Sequence, residues 1–354
     1  MMKTKVITKS DLQQILSHLG LDRLMDELID RLTLALARFD DSQTLIKKRD
    51  GFAYDQPHPG VLEWMPCMQS QGRVTLKMVA YNPKNPQLEQ LPTILSSMSL
   101  YDARNGRLLC LVDGTLPTAL RTGAASAIAS RVLARADAQC LGMIGCGAQA
   151  VTQIHALSRI FDLSCIKVYD INSQNTESLN QRLAHLGIRV IPSPLHQLVE
   201  SADILCTATS VEVQAGPIFA DGRLRPWLHI NAIGSDLPGK TELPLSVLKR
   251  AFVCPDFIEQ ARVEGECQQL EAADIDASLV DLVKQPEHYR AVREQLSVFD
   301  STGYAIEDQV VMELLYDYAN SLNLGTELAI ESYTEDVFDP YAVLKPQTQI
   351  KPDN

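Results

Sequence analysis

Apolar positions recur at helical spacing through residues 10–39, at Leu12, Ile15, Leu16 and Leu19, then at Leu24, Leu28, Ile29 and Leu32. A break at Gly20 divides them into two predicted helices, and Ser10 followed by Gln13 reads as a capping box for the first. The period then falls to two. In RVTLKMVAY (73–81), Val74, Leu76, Met78 and Ala80 alternate with Thr75, Lys77 and Val79, and the turn-rich YDARNGR leads into LLCLVDG. Residues 60–114 are therefore expected to form an antiparallel sheet. Lys77 falls opposite the Leu76/Met78 face, where a lysine taken alone reads as a solvent-facing stem.

PTALRTGAASAIASRVLARA (117–136) is helical in pattern and rich in alanine, serine and glycine on one side. Small residues let another backbone approach closely, so this helix is expected to join two domains, with Arg121 in its first turns. Beyond residue 139 the texture changes. CLGMIG, CIKVYD (165–170), IRVI, DILCTAT (203–209) and LHINAIG (228–234) are apolar runs separated by helical stretches. Such alternation predicts a parallel, doubly wound sheet. The expected fold is α/β: a Rossmann-type doubly wound parallel sheet plus an antiparallel-sheet α+β domain for substrate binding and dimerisation.

Composition narrows the function. The chain has 354 residues, 45% hydrophobic and 21% charged, with a net charge of −12. That balance opposes binding to a phosphate backbone, so no nucleic-acid partner is expected. Eight cysteines are scattered without a CxxC pair or a Cys/His spacing suited to zinc. Reduced thiols, a reducing compartment and no metal follow as expectations. No uncharged apolar run approaches about 18 residues, and MMKTKVITKSD has no apolar stretch behind its basic residues. No membrane span and a cytoplasmic location are expected.

Candidate chemistry begins at IGCGAQA (144–150), a strand, turn and helix start. Gly145 allows the tight turn, Gly147 the close approach of a pyrophosphate, and the helix N-terminus offers amides to an anion. Asp170 ends the next strand, where a carboxylate accepts from a ribose 2′-hydroxyl and repels a 2′-phosphate. NAD is the expected cofactor. Ligands of an open parallel sheet bind beyond the carboxyl ends of its strands, and GSDLPGK follows such an end, which places Asp236 near the reaction centre. Lys240, beside Glu242, reads as a solvated partner. His229, inside an apolar strand, reads as a packed core histidine, and the acidic ELAIESYTEDVFDPY near the end as a solvated segment or dimer arm.

These residues carry a resemblance. GVLEWMP (60–66), DGTLPTALRTGAASA (113–127), IGCGAQA (144–150), HINAIGSDLPGKTEL (229–243), ARVEGECQQL (261–270) and VFDSTGYAIED (298–308) occur in the expected order. The chain resembles the ornithine cyclodeaminase/mu-crystallin family, most specifically through RTGAASA, GSDLPGKTEL and DSTGYAIED. The resemblance implies that Arg49, Lys77 and Arg121 bind the substrate carboxylate, that Glu63 faces a distal ammonium, and that Asp236 is the catalytic acid/base. It implies that Thr93, Gly145, Gly147, Ala148, Gln149, Asp170, Thr207, Lys240 and Ser301 line cofactor or substrate. Lys77 and Glu63 also count among the implied catalytic groups. The implied activity is NAD-dependent conversion of L-ornithine to L-proline and ammonia. Lysine cyclodeamination, ketimine reduction, amino-acid dehydrogenation and non-catalytic binding are the alternatives. A homodimer is implied, with residues 1–127 and 306–354 forming the substrate-binding and dimerisation domain and 128–305 the NAD-binding domain.

Overall fold

The computed structural model describes residues 3–69, 72–334 and 336–344; Met1, Met2 and Glu335, which belong to segments considered above, lie outside it. Strand β1 (Thr4–Ile7) enters helix α1 (Lys9–Leu19), and α2 (Leu21–Ala37) follows. Gly20 joins the helices at φ 78°, a left-handed conformation that a Cβ disfavours. The cap of α1 is Thr8, not Ser10. Asp11 accepts from the Thr8 amide at 2.8 Å, and Thr8 accepts from the Asp11 amide at 3.4 Å. Thr8 already has the extended backbone that an N-cap needs, which leaves Ser10 inside the first turn.

Strands β2 (Thr44–Ile46), β3 (Asp50–Tyr54), β4 (Gly60–Gln69) and β5 (Arg73–Tyr81) follow, then the short α3 (Asn85–Leu88), β6 (Ile94–Asp102), β7 (Leu108–Asp113) and α4 (Thr115–Leu133). The alternating region supplies β8 (Cys140–Ile144), α5 (Ala148–Ile160), β9 (Cys165–Tyr169), α6 (Ser173–Leu183), β10 (Ile191–Pro192), α7 (Leu195–Ser201), β11 (Ile204–Thr207) and β12 (His229–Ala232). After these come α8 (Leu245–Leu248), β13 (Phe252–Pro255), α9 (Ile258–Glu264), α10 (Leu279–Lys284) and β14 (Ser297–Asp300). Helix α11 (Ala305–Ser321) and strand β15 (Thr326–Leu328) then return the chain to its starting sheet.

That first sheet runs β15-β1-β7-β6-β5-β4-β2, with β3 also on β4. It is mixed rather than purely antiparallel, because β1 lies parallel to β7 with Lys5 opposite Cys110. The long connection between those two strands permits a parallel pair, which a tight turn would not. The acidic terminal segment supplies the edge strand β15, paired antiparallel to β1. The second sheet runs β10-β9-β8-β11-β12-β14-β13, and its paired strands are all parallel. Its order reverses between β8 and β11, the crevice in which such sheets bind dinucleotides.

The alternation on β5 is inverted relative to its hydrophobicity. Thr75, Lys77 and Val79 are buried, whereas Leu76 and Met78 are half-buried on the other face. The inner face, with Met65, Cys67, Met98, Leu100, Cys110 and Val112, is covered by helices. It admits a lysine because α11 brings an aspartate to meet it.

Helix α4 stands between the sheets, touching β6 on one side and β12, β14 and α5 on the other. A Cβ at Gly123 would come within 2.6 Å of the Thr152 carbonyl oxygen of α5. Gly123→Val is therefore expected to destabilise the fold by about 1–3 kcal/mol through overpacking. Urea denaturation measures this, and an unchanged midpoint would refute the close packing of α4 on α5.

Candidate active site

Lys77 is fully buried, and its Nζ lies 2.8 Å from Asp308 Oδ2. Helix α4 brings Arg121 to the same carboxylate, Nε to Oδ1 at 3.1 Å, and to Glu307 Oε2 at 2.7 Å from Nη1. The two acids occupy the first turn of α11, where the helix dipole favours negative charge. Gly303 has φ 99°, and a Cβ there would come within 2.9 Å of the Arg121 guanidinium. A bare backbone is needed at that point. Burial drives the Lys77 ammonium down to about 8 and Arg121 adds to the effect, while Asp308 opposes it. Burial also opposes the Arg121 charge, but Asp308 and Glu307 outweigh it and hold the guanidinium above its ordinary value.

Arg49, between β2 and β3, is the second centre. Its Nη1 is 3.2 Å from Glu63 Oε2 on β4, its Nε is 2.9 Å from Glu264 Oε1 at the end of α9, and Nη2 donates to the Thr302 carbonyl. The third is Asp236, in the loop after β12. Its Oδ1 is 2.7 Å from Lys240 Nζ, and Lys240 sits over the Tyr81 ring at 4.8 Å from the centroid. Lys240 is thus buried against Asp236 and Tyr81, not solvated beside Glu242. Burial would lower the Lys240 ammonium, but Asp236 and Tyr81 raise it above its usual range.

These centres feel one another. Arg49 and Arg121 both act on Lys77, and Asp236 acts on Arg49. Three cations, Arg49, Lys77 and Arg121, therefore share one site with the carboxylates of Glu63 and Asp236. Such a site can grip a carboxylate bidentately and hold an ammonium a few ångströms away.

The glycine turn forms the fourth centre. Gly145 has φ 92°, and a Cβ there would come within 2.5 Å of the Ala208 carbonyl oxygen. At Gly147 a Cβ would meet nothing within 4 Å, so the space before the N-terminus of α5, which opens with Ala148 and Gln149, is clear. Asp170 receives the Cys146 amide at 2.7 Å and borders a cavity of about 320 Å³ with Val168, Tyr169, Ser173 and Ser193. An adenosine ribose fits the chemistry of that corner.

Other expected residues are engaged by further partners. The Thr207 hydroxyl is turned onto Glu242 Oε2 at 2.6 Å. Ser301 Oγ donates to Asp256 at 3.3 Å, and the Thr93 carbonyl accepts from the Asn82 amide at 2.8 Å. His229 packs in the core, with Nδ1 2.9 Å from Ser297 Oγ and burial lowering its pKa to about 3. The described cysteines are free, and no group of metal-ligating side chains occurs among the described residues. No helix among the described residues is long and apolar enough to cross a membrane. Sequence reasoning gave no role to Tyr81, Glu264, Glu307 and Asp308. The last three lie within ARVEGECQQL and DSTGYAIED, so the signal was present as acidic positions in those motifs.

The model of the ornithine cyclodeaminase/mu-crystallin family matches residues 10–323. L-lysine cyclodeaminase of Streptomyces rapamycinicus is 43% identical over 343 residues, covering 97% of this chain and 100% of its own. A lysine cyclodeaminase solved to explain recognition of L-lysine, L-ornithine and L-2,4-diamino butyric acid superposes with TM-score 0.94 at 46% identity, covering 97% of this chain and 100% of its own. An archaeal alanine dehydrogenase dimer with bound NAD superposes with TM-score 0.82 at 31% identity, covering 93% and 100%.

Burial pushes the Glu264 carboxyl up to about 7, with Arg49 opposing and Glu63 and Asp236 reinforcing. Its folded pKa exceeds the unfolded one, so its contribution to stability is complete below about pH 4.5 and is lost as pH rises through about 7. Glu264→Gln is expected to be stabilised relative to the parent by about 2 kcal/mol more at pH 7.5 than at pH 4.5. Urea unfolding at the two pH values measures this; parallel profiles would show that Glu264 ionises as freely in the folded state as in the unfolded one.

Proposed function

The chain belongs to the ornithine cyclodeaminase/mu-crystallin family, and from that premise we propose that it is an NAD-dependent cyclodeaminase of basic α-amino acids, with L-lysine its principal substrate. The carrying observation is the meeting of Arg49 and the buried Lys77 and Arg121 with the partly exposed Glu63 and Asp236 in one site. The family motifs pointed to ornithine. Extended identity to a lysine cyclodeaminase moves the weight to lysine, one methylene longer, which a pocket distinguishes only weakly.

The residues present fit NAD: open space at Gly147, the turn at Gly145 and the carboxylate of Asp170. NAD held there would supply hydride acceptance at the substrate α-carbon and hydride return to the ring imine, so that no net NADH would form. Arg121, Lys77 and Arg49 hold the α-carboxylate, and Glu63 faces the distal ammonium. An ammonium cannot attack the oxidised α-carbon, so Asp236 takes its proton and frees the amine to close the ring. The α-amino group leaves as ammonia. Lys240, which also reaches the Tyr81 hydroxyl, holds the Asp236 carboxylate in place.

We assign residues 1–127 and the segment from 306 onward to substrate binding and dimerisation, and 128–305 to the dinucleotide. The outer face of the mixed sheet supports a homodimer. Trp64 pairs with Met78, Leu62 with Ala80 and Pro66 with Leu76, forming an apolar surface that is left partly exposed.

With L-lysine and catalytic NAD, the purified protein is expected to yield L-pipecolate and ammonia in equal amounts without accumulating NADH; mass spectrometry and absorbance read both. NADH accumulating in step with a keto acid would instead favour an amino-acid dehydrogenase. Asp236→Asn is expected to retain NAD binding and lose about 10²–10⁴-fold in turnover, and full activity would remove Asp236 from its role. Met78→Glu is expected to give a monomer by light scattering, and an intact dimer would move the interface elsewhere.

A further inference from the structure

Glu264 has no part in the mechanism above, yet it reaches the site from the end of α9. Its side chain is 6% exposed and lies 2.9 Å from Arg49 Nε. Arg49 also faces Glu63 at 3.2 Å, so one guanidinium serves two carboxylates. The charged groups around Glu264 are Arg49 and the exposed Lys48 before β3, Glu63 from β4, and Asp236 from the loop after β12. Asp236 has its own cation in Lys240, at 2.7 Å. Among the described residues, Glu63 and Glu264 are ion-paired with no other buried cation and depend on Arg49.

We propose that Glu264 is a specificity-determining residue that makes amino-acid binding conditional on a second positive charge in the ligand. The inference rests on the cyclodeaminase reading, because it requires Arg49 to turn to the ligand's α-carboxylate. When it does so, Glu63 and Glu264 lose their shared cation in a site that water barely reaches. A ligand with a distal ammonium restores the charge. An aliphatic amino acid of the same length does not, and the stranded acid must take up a proton or remain buried and unpaired. Glu264 is the group placed to take that proton, since burial already holds its carboxyl at about 7. Discrimination against monoamine amino acids is then electrostatic and independent of pocket length.

The test is isothermal titration of the NADH-loaded protein, on which neither ligand reacts, with L-ornithine and L-norvaline. The two share a chain length and differ by the terminal ammonium. Buffers of different ionisation enthalpy, between pH 6.5 and 8, report protons taken up on binding. Norvaline is expected to bind about a hundredfold more weakly at pH 8, and its affinity to rise by about tenfold per pH unit on acidification, with proton uptake that ornithine does not show. Glu264→Gln is expected to abolish the uptake and narrow the gap by about tenfold, whereas Glu264→Asp keeps both. Norvaline binding by the parent protein without proton uptake, or a gap unchanged in a folded Glu264→Gln protein, would overturn the proposal. Turnover of L-lysine by the same preparation judges the functional reading separately. If lysine is cyclised while norvaline binds independently of pH, only the role of Glu264 fails; if no diamino acid is converted, both fail.

Discussion

The structure depends on a charge cluster sealed between the first sheet and its helices. Lys77 and Arg121 share Asp308, and Arg121 also holds Glu307. Desolvating such groups is costly, and removing one partner of a buried pair costs about 3–5 kcal/mol because the other is left uncompensated. The cluster therefore constrains the chain path. Strand β5, helix α4 and the returning helix α11 must meet at one point, although Lys77 and Asp308 lie 231 residues apart in sequence. A purely apolar contact would serve packing as well. Holding two cations ready beside a site is what an apolar contact cannot do.

Loops at the carboxyl ends of the parallel strands are fixed by further buried acids. Glu242 collects the Thr207 and Thr209 hydroxyls and the Thr209 and Gly234 amides, which ties the ends of β11 and β12 together. Asp256 does the same for residues 301–303, accepting the Gly303 amide at 2.6 Å and the Thr302 hydroxyl at 3.1 Å. Those clamps set the carbonyl that Arg49 binds and the glycine that faces Arg121. Asp236 is then held by Lys240, which in turn reaches Tyr81 at the end of β5. The acids that organise these loops are distinct from the acids facing the proposed substrate.

Much of this was legible from local pattern. The helical period before residue 39, the two-residue period of β5 and the apolar runs of the parallel sheet each reflect a burial that the surrounding segment decides. The glycine turn and Asp170 were legible because their spacing is set by the dinucleotide fold itself. What could not be read depends on distant partners. Lys77 is turned inward by Asp308, so the apolar Leu76/Met78 row faces outward and reverses the expected sides of β5. Lys240 is buried because Tyr81 and Asp236 enclose it. The short edge strands β1 and β15 are too brief to show a period, and the cap at Thr8 rather than Ser10 turned on backbone geometry.

The most direct measurement is a crystal structure of the NADH complex with L-2,4-diaminobutyrate. The account predicts the ligand carboxylate within hydrogen-bonding distance of Arg49, Lys77 and Arg121, with a ligand nitrogen on Asp236 and Arg49 withdrawn from Glu63. A ligand bound elsewhere, with the Arg49–Glu63 pair intact and Asp236 facing solvent, would contradict it.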